Sequence, residues 1–288
     1  NTTGAQNTAV GTSAGAAITT AVNTVVMGYQ AGDAITTGNN NVAIGTTALS
    51  ANTTGASNTA LGHASLLANT TASNNTAVGY AAGTAITTGA HNSALGYQAL
   101  VTNTTGGFNV ATGGAALQLN TTGTNNVASG YGALYSNTTA SNNSSFGYKA
   151  LFTNTTGHSN TSVGKDALGV NTTGNQNVAV GMTALDANTT ASNNTALGYG
   201  ALTANTTGAD NVAVGRTAME ANTTGANNTA VGKNALIANT TGTENVAVGF
   251  QTLDAVTTAS YSTAVGTSAL GAATSGGFNT AFGRHAGV

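Results

Sequence analysis

The sequence predicts an all-β fold, a parallel β-solenoid (β-roll) of 17 coils with a 17-residue repeat. Three observations lead to this prediction. The repeat keeps the same length along the whole chain, without insertion or deletion. Gly, Asn and Thr, which are poor helix formers, dominate the repeat. Short runs with β-branched residues end at glycines, which is typical of strands closed by turns. A fixed period indicates units that stack only on their neighbours.

The repeat is numbered here from 1 to 17, starting at Asn1, and residues that share a position form a column. Sixteen full copies and a final copy that lacks only position 17 account for all 288 residues. We therefore expect a single continuous repeat domain over residues 1–288. Because the sequence begins within the repeating pattern, we interpret it as a fragment of a longer fibrous protein.

Each coil is predicted to contain two strands and two turns. Positions 7–10, such as residues 177–180, combine a short apolar run with a following glycine, and predict one strand. Positions 1–3, usually Asn-Thr-Thr before Gly or Ala, predict a second extended piece. Coils stacked at about 4.8 Å would form a rod on the order of 80 Å long.

Some columns hardly vary, and each has a predicted structural role. Position 11 is Gly in all 17 copies, which predicts a corner with positive φ or a close approach of another backbone. Position 7 is Asn in 15 copies, and we interpret it as a stacked amide ladder rather than only a turn residue. Position 14 is usually Ala and position 15 usually Leu. The predicted structural residues include Gly181, Gly232, Asn177, Asn228, Ala184, Ala235 and Leu236.

Positions 15 and 1 vary together. Leu at position 15 is usually followed three residues later by Asn. Where position 15 is Gly, the residue three positions later is Ile, as in the pairs Gly15 and Ile18, Gly32 and Ile35, and Gly83 and Ile86. We therefore expect the leucine at position 15 and the isoleucine at the following position 1 to fill the same interior volume. Filling that volume stabilises each coil by about 1.5–3 kcal/mol.

The charged residues define the predicted solvent faces. All 12 of them lie in columns 6, 12, 13 and 16, whereas columns 8, 9 and 10 carry no charge. Alternate residues of a strand point to opposite faces, and a sheet that is apolar on both faces is expected to be covered on both. We therefore predict a homo-oligomer, with interface candidates Val178, Val180, Val212, Val214, Val231 and Val248.

Composition argues against several classes of function. The net charge of −2 gives no electrostatic basis for binding nucleic acid. No apolar run approaches the roughly 20 residues that span a bilayer, so we expect no membrane insertion in this segment. Cysteine is absent, and the five Asp residues do not follow the calcium-binding β-roll pattern, so we expect no metal and no cofactor.

Catalysis is not expected either. Residues 11–15 match the Gly-x-Ser-x-Gly nucleophile motif, but residues 28–32 occupy the same phase without a serine, and no helix is predicted to follow. We predict that the chain is not an enzyme and has no catalytic residues. Twelve Asn-Thr-Thr triplets satisfy the N-glycosylation rule, but the repeat itself explains their threonines, so the sequence leaves glycosylation open.

Column 12 is the best candidate for a recognition surface. It contains six of the eight tyrosines, and exposed Tyr offers a flat apolar ring with a polar tip to sugars or proteins. The alternative is that stacked rings simply cover the corner beside the column 11 glycines. The candidate surface residues are Tyr29, Tyr80, Tyr97, Tyr131, Tyr148, Tyr199 and Phe250.

The runs Asn-Val-Ala-Val-Gly-x-x-Ala at 177–184 and Asn-Thr-Ala-Val-Gly-x-x-Ala at 228–235 resemble the head repeats of the trimeric autotransporter adhesins, the YadA-like group. The resemblance implies a left-handed β-roll, three chains packed sheet to sheet, and a head on an anchored coiled-coil stalk that binds host matrix or other cells. The repeats are also similar to those in phage tail-fibre shafts and large bacterial surface proteins. The 17-residue period is longer than the typical head repeat of the family, and no stalk or anchor is present in these 288 residues.

Together these observations predict an extracellular, cell-surface fibre segment: a rigid homotrimeric rod that presents multivalent surfaces for attachment. Its expected partners are copies of itself and, at the surface, a host or cell-surface protein or glycan. One alternative is the shaft of a virion tail fibre, and another is a self-assembling extracellular filament.

Overall fold

The computed structural model describes residues 2–287, and this part of the chain is all-β. It contains 17 short strands, each beginning one repeat after the strand before it. Sixteen connections join them, so the chain makes about 16 turns. The strands are β1 (Thr8–Val10), β2 (Val25–Met27), β3 (Val42–Ile44), β4 (Thr59–Leu61), β5 (Thr76–Val78), β6 (Ser93–Leu95), β7 (Val110–Thr112), β8 (Val127–Ser129), β9 (Ser144–Phe146), β10 (Thr161–Val163), β11 (Val178–Val180), β12 (Thr195–Leu197), β13 (Val212–Val214), β14 (Thr229–Val231), β15 (Val246–Val248), β16 (Thr263–Val265) and β17 (Thr280–Phe282).

The chain divides into two compact units, Asn1–Asn143 and Ser144–Val288. In the first unit β1 to β8 pair in parallel in chain order, with Thr8 opposite Val25. In the second unit β9 to β17 do the same, with Thr161 opposite Val178. Each unit is therefore a parallel β-solenoid whose coil has the predicted length. The prediction of one continuous domain over residues 1–288 stays a prediction.

The predicted second strand at positions 1–3 is wrong. In the second coil the N–H groups of Thr19, Thr20 and Ala21 all donate to the carbonyl oxygen of Thr36, with N···O distances of 3.1, 3.1 and 3.2 Å. The Thr19 hydroxyl donates to the same oxygen at 3.0 Å. Three successive amides that converge on one carbonyl make the chain bend, whereas a strand ladder spreads its hydrogen bonds along the partner. These residues stack from coil to coil without forming a strand.

Small and apolar side chains fill one side of each coil. The middle residue of the strand is usually Ala and points inward, so that Ala179 and Ala230 are fully buried. In column 14, Ala184 and Ala235 are buried as well, and Leu236 in column 15 is fully buried. The coil interior is therefore narrow and mostly filled by Ala and Leu.

Both predicted reasons for the column 11 glycine hold. Gly181 and Gly232 have φ values of 135°, in the region that favours glycine. A Cβ on Gly181 would also overlap the carbonyl oxygen of Gly198 in the next coil, and one on Gly232 would overlap that of Gly249. An alanine in this column would therefore strain the backbone and push neighbouring coils apart.

A side chain at position 15 and the isoleucine at the following position 1 would occupy the same interior volume, as predicted. A Cβ on Gly15 would lie 2.8 Å from the Cδ1 atom of Ile18, and one on Gly32 would lie 2.7 Å from that of Ile35. Leucine in column 15 carries a conformational cost, because Leu236 has a positive φ of 50°. The glycine copies avoid that cost and fill the space with isoleucine instead.

Candidate functional site

The asparagines of column 7 form a ladder through the interior. The N–H of Asn228 donates to the Oδ1 atom of Asn211 in the preceding coil at 3.0 Å, and its Nδ2 lies 3.2 Å from the same oxygen. That Nδ2 also donates to the carbonyl of Gly242 in the next coil at 2.8 Å. Asn177 makes the same three kinds of contact, with Asn160 and Ala191. One side chain thus joins three successive coils.

Column 1 contains a second asparagine ladder that the sequence interpretation missed. The Nδ2 atom of Asn222 donates to Oδ1 of Asn205 at 2.8 Å and to the carbonyl of Gly225 at 2.9 Å. The Gly225 oxygen also accepts the Nδ2 of Asn211, so the two ladders meet at the column 4 carbonyl. The recurrence of Asn in 12 of 17 copies of column 1 was the available signal.

The second ladder is interrupted after Asn239, where column 1 is apolar, and between Asn52 and Asn69, where the Asn69 amide bonds to Ala72 of its own coil instead. Asn239 donates to Asn222, but the next residue of the column is Val256, which has no donor. Among the described residues, only the Oδ1 atoms of Asn52 and Asn239 are buried side-chain polar atoms without a hydrogen bond. Each such group costs roughly 1–3 kcal/mol.

From Asn52 onward, the asparagines of the Asn-Thr-Thr triplets are inaccessible in the folded coil. Each of them is fully buried, because column 1 points into the coil interior. A glycan on such a side chain would not fit between stacked coils.

The six interface-candidate valines lie on the outer face of the strands. Val180 and Val212 are exposed, and Val178, Val214, Val231 and Val248 are half-buried. Columns 8 and 10 therefore present an uncharged face to solvent in each unit, with Leu, Met or Phe at several places in column 10.

All seven candidate aromatic residues of column 12 are exposed. Tyr80 stacks between His63 and Tyr97, with ring centroids 5.2 and 5.5 Å apart and nearly parallel planes. Both faces of the Tyr80 ring are therefore covered by neighbours, which leaves its edge and hydroxyl to solvent. This geometry agrees with the alternative that a ring ladder covers the corner.

Cations lie over several rings along the same corner. The guanidinium carbon of Arg216 is 5.8 Å from the Tyr199 ring centroid, and Nζ of Lys233 is 5.6 Å from that of Phe250. Such contacts contribute about 0.5–1 kcal/mol at exposed sites.

The second unit contains an open cavity of about 280 Å³ at Gly169. It is lined mainly by Lys149, Phe152, Asp166, Val170 and Asp186. Lys149 Nζ lies 5.3 Å from the Phe152 ring centroid and 5.4 Å from that of Tyr148.

The cavity concentrates charge. Asp166 pairs with Lys165 at 2.8 Å, a contact that raises the pKa of the lysine. Burial raises the pKa of Asp186, and repulsion from the Asp166 carboxylate raises it further, against the opposing effect of Lys165. The sequence interpretation missed this site, because its signal is a single glycine in column 16, where only Gly271 also lacks a side chain.

No group of three or more His, Asp or Glu residues that could hold a metal ion occurs within residues 2–287. Over the same residues, no helix has the length and the apolar character needed to cross a membrane. The chain matches no protein-family model, no curated protein and no solved structure.

Proposed function

We propose that the chain is a structural segment of an extracellular fibre at a cell surface, in which identical copies pack through the outer faces of their strands. Following the resemblance to the YadA-like heads, the proposed assembly is a homotrimer of left-handed rolls. Its role is to hold repeated surfaces at fixed spacing for attachment.

The observation that carries this proposal is the uncharged outer face of columns 8 and 10. In the second unit Val163 and Val180 are exposed, and Phe146 and Leu197 lie in the same column. Every charged residue lies in another column, so solubility alone does not explain the pattern. An exposed apolar surface that continues from coil to coil is typical of an interaction face.

A second copy of the chain is the partner that fits this face best. Both copies repeat at the same interval, so a contact made by one coil is repeated by the next. Burying a Val or Leu side chain gains about 1.5–3 kcal/mol. A row of such contacts offsets the roughly 4–15 kcal/mol that association costs.

The same geometry supports attachment by avidity. Identical coils place the variable residues of columns 12, 13 and 16 at regular intervals along each unit. Weak contacts repeated in this way raise the overall affinity without any single strong site. The proposed attachment partner is a protein or glycan of another cell or of its matrix.

Sedimentation equilibrium of the purified chain tests the assembly. The proposal predicts a soluble particle of three times 27.7 kDa at all loading concentrations. A monomer of 27.7 kDa would contradict it. A mass that grows with concentration would instead favour a self-assembling filament.

The shaft of a phage tail fibre is the second candidate, supported by the similarity of the Asn-Thr-Thr-Gly repeats. It makes the same prediction for mass. The two candidates are separated by the parent protein, in which an outer-membrane barrel with a stalk indicates an adhesin and a self-cleaving fibre chaperone indicates a phage.

A further inference from the structure

We propose that the cavity at Gly169 binds one neutral pyranose ring, such as a terminal sugar of a glycan. The inference deepens the proposed attachment function and rests on it only for its biological use, since sugar binding is measurable on the chain itself.

The cavity exists because a side-chain column is interrupted. Phe152, Gly169 and Asp186 occupy position 16 in three successive coils, so a gap of one side chain separates the ring from the carboxylate. A Cβ on Gly169 would lie 2.7 Å from the Oδ1 atom of Asp186. The carboxylate therefore reaches into the space that a side chain would fill.

The walls combine the two kinds of surface that a sugar ring needs. The Phe152 ring and the Val170 side chain supply apolar surface for the C–H face of the sugar. Lys149 is held near the Phe152 ring and can donate hydrogen bonds to hydroxyl oxygens. Asp186 can accept hydrogen bonds from hydroxyl groups, and no described residue donates one to its carboxylate.

Charge selects a neutral ligand. A cationic ligand would be repelled by the Lys149 ammonium, which lies at the cavity wall 5.3 Å from the Phe152 ring centroid. An anionic ligand would meet the carboxylates of Asp166 and Asp186. A polyol avoids both penalties, because each hydroxyl can donate to a carboxylate and accept from the ammonium.

The volume fits one ring. Pockets for drug-sized ligands span roughly 300–1,000 Å³, and this open cavity of about 280 Å³ lies just below that range. Binding is therefore expected to be weak for a single sugar, in the millimolar range.

The variant Gly169→Thr closes the gap with a side chain that this column already carries. Thr84 and Thr203 in the same column donate hydrogen bonds to the carbonyls of Ala64 and Thr183 in the preceding coils. Gly169 does not require a left-handed φ, so the backbone accepts the change. Gly271→Thr is the matched control, because Gly271 is next to Asp254 in its column and has no aromatic residue there.

Saturation-transfer difference NMR on the full chain tests the proposal, with methyl hexopyranosides, pentopyranosides and N-acetylhexosaminides as probes. Transfer to the sugar C–H protons of at least one probe is expected for the unmodified chain and for G271T, and its loss is expected for G169T. Asp186→Asn should weaken binding about tenfold, the equivalent of one charge-assisted hydrogen bond.

Absence of transfer to every probe, or equal transfer to G169T, would overturn the proposal, as would binding of methylammonium in place of the sugars. Sedimentation equilibrium of G169T separates this result from the assembly proposal, because the variant should keep the mass of the unmodified chain whether or not sugar binds.

Discussion

The two asparagine ladders of the coil differ in what their side-chain oxygens accept. In column 7 the Oδ1 atom accepts a backbone N–H of the next coil, as Asn211 does from Asn228 at 3.0 Å. In column 1 the Oδ1 atom accepts a side-chain amide, as Asn205 does from Asn222 at 2.8 Å.

This difference explains which column tolerates substitution. Column 7 is Asn in 15 copies, and its exceptions, Thr24 and Ser262, both keep a side-chain oxygen. Column 1 also accepts Ile, Val and Ala. Losing the column 7 oxygen leaves a buried backbone donor unpaired, and a backbone donor cannot be removed by mutation elsewhere. A column 1 asparagine can be replaced together with its partner.

The largest expected effect compares the same substitution in both ladders of one coil. Asn228→Val removes the acceptor of the Asn245 N–H, now 2.9 Å away, and should lower the free energy of unfolding by about 2–4 kcal/mol. Asn222→Val orphans the Asn205 oxygen and leaves the Asn239 amide with the Gly242 carbonyl as its remaining acceptor, and should cost about 1–2 kcal/mol. Urea denaturation of both variants provides the measurement, and equal losses would remove the distinction between the ladders.

A double-mutant cycle in columns 15 and 1 tests the shared volume. Leu185→Gly opens a cavity and should cost about 2–5 kcal/mol. Asn188→Ile alone should cost about 1–3 kcal/mol by overpacking, besides the hydrogen bond that it removes from the Asn171 oxygen. The double variant reproduces the natural Gly and Ile pairing, so its loss should fall below the sum by about 1–2 kcal/mol. Additive losses in denaturation experiments would show that the side chains do not share space.

Extending the interrupted ladder should stabilise the chain. Val256→Asn gives the unpaired Oδ1 of Asn239 a donor, in the arrangement in which Asn239 donates to Asn222 at 2.9 Å. The oxygen of the introduced amide then faces Ala273, which is only half-buried. We expect a gain of about 1 kcal/mol in the free energy of unfolding. Val256→Ala is the control and should lose about 1–2 kcal/mol. A loss for both variants would contradict the ladder argument.

The smallest expected effect concerns a partly buried polar group at the surface, the carboxylate of Asp186, and its contribution to stability. The pKa of Asp186 lies above its ordinary value of 3.8, chiefly through burial. The folded chain therefore holds the proton more tightly, and the stability that this contributes is present below pH 3.8 and lost as pH rises through the folded pKa.

Asp186→Asn should accordingly raise the melting temperature at neutral pH, and the gain should shrink as pH falls below the folded pKa. Thermal melts of both chains across this range, with Asp33→Asn as the same change elsewhere in column 16, provide the test. A gain that persists unchanged in acid would mean that ionisation of Asp186 is not its cause.

Much of the coil could be predicted because each column repeats one physical constraint. The column 11 glycines, the column 7 asparagines and the exchange of Gly15 with Ile18 all follow from contacts that every coil must make. The strand predicted at positions 7–10 from the same pattern is observed at positions 8–10.

The features that were missed depend on geometry that repetition does not encode. Asn-Thr-Thr reads as extended, but the amides of Thr104, Thr105 and Gly106, which follow Asn103, converge on the carbonyl of Thr121. The cavity at Gly169 depends on the neighbours of a single copy, Phe152 and Asp186, and averaging over copies conceals it.

The central claim is that identical copies of the chain pack through columns 8 and 10 on the outer strand face, and not through the neighbouring corner at column 12. Sedimentation equilibrium of Val231→Lys and Lys233→Glu, two positions apart in the same coil, tests it most directly. Val231 is half-buried in column 10, whereas Lys233 is exposed and contacts the Phe250 ring. The account predicts that the first variant dissociates toward 27.7 kDa while the second keeps the mass of the unmodified chain. Equal masses for the two variants would contradict it.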